Sequence, residues 1–98
     1  MNIQKTNHGN SLIVSISGKI DTASAPTLEQ ELKNSIKDCS ELTFDFTEVE
    51  YISSAGLRVL LSAQKTMNRQ GSMKLTNVKK NVMGIFEVTG FTNILNIE

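Results

Sequence analysis

Ninety-eight residues suffice for one small domain, expected to span residues 1–98, with a modest core and no room for a second. Ten basic and ten acidic side chains cancel, which leaves no electrostatic footprint for nucleic acid or an anionic membrane surface. The single cysteine, Cys39, cannot close an internal disulfide, no apolar run approaches the roughly 18 residues of a spanning helix, and the N-terminus lacks the apolar core of a signal peptide. The expected compartment is therefore the cytoplasm, with Cys39 an incidental loop thiol.

Residues 2–7 read as a weak edge strand around Ile3, followed by a turn at His8-Gly9-Asn10. From Leu12 to Ser17 apolar residues alternate with serines, a second strand that forms a hairpin with the first. Gly18-Lys19-Ile20-Asp21-Thr22 ends that strand and leads into a helix with Ser24 as its N-cap and Pro26 in its first turn. Leu28, Leu32 and Ile36 give that helix one apolar stripe, with Glu29 and Glu31 early and Lys33 and Lys37 late, as the helix dipole favours.

The central strand follows. Leu42, Phe44 and Phe46 alternate with Thr43, Asp45 and Thr47, and a short polar link, Thr47-Glu48, leads into Val49 to Ile52. Ser53 and Ser54 stand immediately before Ala55-Gly56-Leu57, where a helical period begins and runs to about Arg69. That helix is expected to bury Leu57, Leu60, Leu61 and Met67, with Ala63 allowing close approach, and to end on Gly71 as a left-handed cap. Arg58, Lys65 and Arg69 mark its outer face, read as solvated rather than as an anion site. Met73 to Thr76 is a short strand, Val82, Ile85 and Phe86 stripe a third helix closed by Gly90, and Ile94 to Ile97 reads as a final edge strand.

Alternating strands and helices imply an α/β fold: right-handed crossovers build a mixed, mostly parallel sheet of about five strands with helices packed on it. In such sheets functional groups collect where carboxyl ends of strands lead into helix starts, so the loops carrying Asp21 and Ser54 should be neighbours. A serine at a helix start has two readings. Its hydroxyl can cap the first turn, the commoner role, or it can accept a phosphate that the exposed amides and the helix dipole stabilise. A catalytic triad would have to use His8, the only histidine, far in sequence from Ser54, and there is no Gly-x-Ser-x-Gly elbow. No histidine or cysteine cluster suggests a metal, and no glycine-rich loop is present to cradle a nucleotide, so no cofactor is expected.

Residues 45 to 61, Asp-Phe-Thr-Glu-Val-Glu-Tyr-Ile-Ser-Ser-Ala-Gly-Leu-Arg-Val-Leu-Leu, resemble the signature of STAS domains, specifically the anti-sigma factor antagonists. Gly18-Lys-Ile-Asp-Thr22 looks like that family's Gly-x-x-Asp turn, and element order and length match over nearly the whole chain. The resemblance implies a bacterial phosphoprotein that regulates transcription by partner switching. Unmodified, it would sequester an anti-sigma factor of the GHKL serine-kinase type and so release a sigma factor. The kinase would phosphorylate the serine two residues before the glycine, Ser54, and a PP2C-type phosphatase would reset it. The chain would then be substrate and ligand, not an enzyme. The partner-binding residues implied are Asp21, Thr22, Ser53, Ser54, Ala55, Gly56 and Arg58. Ser53 stands where many members carry aspartate, and Ala55 where serine or threonine is frequent; Ser53 is the competing acceptor, since a helix start can orient either hydroxyl. Stand-alone STAS domains also resemble accessory subunits of ABC-type lipid transporters that bind the ATPase, an alternative without a phosphorylation cycle.

Overall fold

A computed structural model describes Met1–Glu98. Strands β1 (Asn2–His8), β2 (Ser11–Ile20), β3 (Glu41–Ile52) and β4 (Ser72–Thr76) form one sheet in the order of the chain. β1 runs antiparallel to β2, and β2, β3 and β4 are parallel, joined through α1 (Ala25–Ser35) and α2 (Ser54–Gln70). After β4 come α3 (Lys80–Thr89) and a 3-10 turn at Phe91–Asn93. The expected last strand is reduced to a single parallel bridge between Ile97 and Leu75, so the sheet has four strands and the start of a fifth.

Alternation decides which face of the sheet is covered. Leu12, Val14 and Ile16 of β2, Leu42, Phe44 and Phe46 of β3, and Met73 and Leu75 of β4 are buried, while their neighbours Ile13, Thr43, Asp45 and Lys74 are not. Leu28 and Leu32 of α1, Leu57, Leu60 and Met67 of α2, and Val82 and Phe86 of α3 complete the same core. Phe46 links the layers, 6.4 Å from Phe44 edge to face and 6.2 Å from Phe86. On α2, Leu61 is only half-buried, and Val59, which lies beside α1, is buried instead.

Three local expectations are corrected. First, Thr47-Glu48 is not a link: β3 is continuous for 12 residues and absorbs two extra residues against β2. Ser15 and Ser17 pair with Asp45 and Glu48, and Gly18 and Lys19 with Val49 and Tyr51. Each bulge adds one residue, so the buried positions after Phe46 fall at Val49 and Ile52, three apart instead of two. Asp45 holds the first bulge, its Oδ1 accepting from the Thr47 hydroxyl, the Thr47 amide and the Asn77 side chain. These bonds, the Thr47 hydroxyl foremost, hold its carboxyl below the ordinary range. β2 likewise does not end at Gly18 but runs on to Ile20.

Second, Gly71 is no left-handed cap. Its φ of 171° is extended backbone, and what demands glycine is space, because a Cβ would fall on the Ser40 carbonyl. That carbonyl accepts from the Ser72 amide at 2.9 Å, which ties the end of α2 to the entry of β3. Gly90, by contrast, has the expected left-handed backbone at φ 78°. Third, Cys39 lies in the loop between α1 and β3 as expected but is not incidental there, because its side chain is buried in the core; burial pushes its thiol up, and the thiol donates to the Glu41 carbonyl at 3.0 Å.

Candidate functional site

The bulged β3 and the extended β2 end level. Lys19 pairs with Tyr51 and Ile20 with Ile52, and the Ser53 amide donates to the Ile20 carbonyl at 2.8 Å. Both strands then turn into helices at the same end of the sheet, which makes the Asp21 and Ser54 loops neighbours as the topology required. His8 pairs with Ser11 at the opposite end, so no histidine stands near either serine.

At the start of α2 the two serines divide the roles that sequence left open. Ser53 is the N-cap: its backbone is extended, and its Oγ accepts from the Gly56 amide at 3.4 Å. Ser54 is the first helical residue and is exposed, and none of the protein's hydrogen bonds involves its hydroxyl. The sequence reading had allowed Ser54 a share in the cap; the structure assigns that bond to Ser53. Gly56, expected among the partner-binding residues, is buried. A Cβ there would stand 2.7 Å from both Ile20 Cγ2 and Ile52 Cγ1 and 3.1 Å from the Ile20 carbonyl oxygen. Its contribution is to let α2 begin close against the strand ends.

The α1 start is built differently. Asp21 Oδ1 accepts from the amides of Ala23 at 3.1 Å and Ser24 at 2.9 Å, and the Asp21 amide donates back to Ser24 Oγ at 2.9 Å. The Ser24 hydroxyl lies 2.8 Å from the Lys19 carbonyl and 3.1 Å from Asp21 Oδ1, and can donate to either. Asp21 and Ser24 thus bond reciprocally across the turn that precedes α1; Ser24 stands at the N-cap position as expected, but its side chain caps no helix amide. The Ser24 amide, then its hydroxyl, hold the Asp21 carboxyl below the ordinary carboxylate range. All of these bonds use Oδ1, and Oδ2 has no partner in the protein.

The expected partner-binding residues are thereby sorted. Thr22, Ala55 and Arg58 line one groove between the starts of α1 and α2, together with Pro26, Glu29 and Val59. Asp21 lines the adjoining cleft with Lys19 and Glu50. Sequence reasoning missed Pro26, Glu29 and Val59. The first two follow Thr22 at helical spacing on α1, a signal of a shared face, but the approach of the α2 start was not readable from it.

The fold class is a two-layer α/β domain in which the α1 and α2 starts both lie at one end of the sheet. A family model described as the STAS domain matches residues 2–98, and the chain belongs to that family. It is 32% identical over 98 residues to the anti-sigma-B factor antagonist of Bacillus subtilis strain 168, covering 99% of this chain and 90% of that protein. An anti-sigma factor antagonist from Mycobacterium paratuberculosis has the same fold, with a TM-score of 0.88 at 23% identity over 98% of this chain and 83% of that one. So does the Bacillus cell fate determinant SpoIIAA in its phosphorylated form, with a TM-score of 0.76 at 13% identity over 99% and 91% of the two chains. No helix is long and apolar enough to cross a membrane.

Proposed function

We propose that this protein is an anti-sigma factor antagonist whose binding is switched at Ser54. Unmodified, it binds an anti-sigma factor, a serine kinase of the GHKL type, through the groove between the α1 and α2 starts, and a sigma factor is released for transcription. The kinase transfers the γ-phosphoryl group of ATP to Ser54 Oγ, the hydroxyl gives up its proton, and ADP departs. A PP2C-type phosphatase hydrolyses the ester and resets the cycle. The chain itself is ligand and substrate, and performs no catalysis.

The observation that carries this reading is the bare Ser54 hydroxyl: exposed, unbonded and relieved of capping by Ser53. Relatives named anti-sigma factor antagonists over nearly the whole chain support it, and a structural neighbour known in a phosphorylated form supports the choice of modification. The physics of the switch is direct. A phosphate adds about 1.5 to 2 negative charges at neutral pH, which an interface fitted to a neutral hydroxyl must desolvate or repel. Incubation with ATP and the candidate kinases of the same genome, followed by phosphosite mapping, tests the proposal. Phosphate on Ser54 and loss of kinase binding are expected; phosphate on Ser53 alone would overturn the site, and capture of a transporter ATPase with no phosphorylation would overturn the function.

A further inference from the structure

We infer that Arg58 is the intramolecular receiver of a phosphate on Ser54, so that modification both adds negative charge and withdraws a cation from the binding groove. The inference rests on Ser54 being the acceptor. Ser54 and Arg58 are the first and fifth residues of α2. Side chains at i and i+4 lie one above the other on a helix, with Cβ atoms about 5 to 6 Å apart, and an acid preceding its base in the chain is the better orientation. A phosphoester extends the serine toward Arg58, whose forked guanidinium can donate two parallel hydrogen bonds to phosphate oxygens.

Arg58 is also free to do this. The protein has two ion pairs, Lys5–Glu31 and Lys74–Glu98, and Arg58 is in neither. It is exposed, and Glu29 is the only other charged residue lining its groove. The remaining cations of α2 cannot substitute. Lys65 and Arg69 lie about 16 and 22 Å farther along the axis from Ser54 at 1.5 Å per residue. Before modification the groove therefore offers an unpaired guanidinium to an acidic group of the partner. After it, Arg58 is held on the phosphate, and Glu29 is left as the uncompensated charge of the groove. The partner thus meets repulsion and also loses its cationic contact.

The test uses full-length protein with phosphoserine incorporated at position 54 during translation, followed by phosphorus NMR through the second ionisation of the phosphate, near pH 6. In the otherwise wild-type protein the midpoint should lie roughly 0.3 pH units below that of Arg58→Gln, the size expected of one i,i+4 pair. Arg58→Lys should restore part of the shift, and Lys65→Gln should leave it intact. Equal midpoints with and without Arg58, or a shift lost equally in Lys65→Gln, would overturn the inference. The titration needs no kinase, so failure to find one that modifies Ser54 counts against the proposed function and not against this pairing.

Discussion

Two helix starts lie side by side at the same end of this sheet, and they have opposite chemistry. At α1 the Asp21 Oδ1 and the Ser24 hydroxyl are both engaged within the protein. Asp21 and Ser24 bond each other reciprocally, and Ser24 also reaches the Lys19 carbonyl. At α2 one serine makes a single, long 3.4 Å cap and the next makes no bond within the protein. A satisfied turn is adequately explained by stability. An exposed hydroxyl that the fold does not use is what an outside reagent requires, and the difference separates the structural start from the reactive one.

The largest expected effect breaks the α2 start directly. Ser54→Asp keeps an oxygen but adds charge, and should weaken binding of the anti-sigma partner at least tenfold, about 1.4 kcal/mol. Ser54→Ala should bind throughout, unresponsive to ATP, and keep its stability within about 0.5 kcal/mol of wild type because no cap is lost. Titration calorimetry with the purified kinase measures the first effect and thermal unfolding the second; equal affinities for the two variants would favour the transporter-accessory alternative. Next comes Gly56→Ala, which tests whether the α2 start owes its place to contact with the strand ends. Its Cβ meets Ile20 Cγ2 and Ile52 Cγ1 at 2.7 Å, so overpacking should cost about 1 to 3 kcal/mol. An unchanged unfolding midpoint would mean that α2 does not depend on this close approach.

A smaller effect sharpens the division between the two serines. Ser53→Ala removes the cap, at a cost of about 0.5 to 1 kcal/mol, toward the low end because the bond is long. Phosphosite mapping should still find Ser54. A Ser53→Ala protein that was fully stable yet no longer phosphorylated would exchange the two roles.

The parts of this fold that sequence reveals are those governed by short-range periodicity. The alternation at Leu42, Phe44 and Phe46 and the stripe at Leu28, Leu32 and Ile36 identified strand and helix directly. What stayed hidden depends on a partner distant in the chain. The bulges in β3 exist only relative to β2, so the break in alternation at Thr47-Glu48 looked like a link. Gly71 answers to the backbone of Ser40, and a glycine after a helix otherwise suggests a left-handed cap. The site shows the same limit. Its position followed from element order, and the spacing to Gly56 in a STAS-like signature selected Ser54. Which serine caps, and which residues of α1 face Arg58, required the two helix starts to be placed together.

The smallest expected effect concerns Asp21, where the two kinds of chemistry could coexist in one carboxylate. Its Oδ1 closes the turn before α1 and its Oδ2 is unbonded within the protein. Amide donors stabilise the charged form, so its pKa in the folded protein lies below the ordinary value of 3.8. The sign follows from linkage: a depressed folded pKa means the unfolded chain binds protons more readily. The stabilisation is therefore complete above the unfolded value and fades as pH falls through the folded one. Asp21→Asn keeps an acceptor for the amides and removes the charge. It should melt slightly below wild type at neutral pH, and the gap should close as pH drops below about 4, the ordinary aspartate range. Melting curves across that range check the structural half. The functional half is read by phosphorylation kinetics at neutral pH, where both variants are folded. If Oδ2 meets the kinase, Asp21→Asn slows modification of Ser54 while the small stability gap stays as stated. If the rate is unchanged, Asp21 belongs wholly to the structural start, and the contrast between the two helix starts becomes complete.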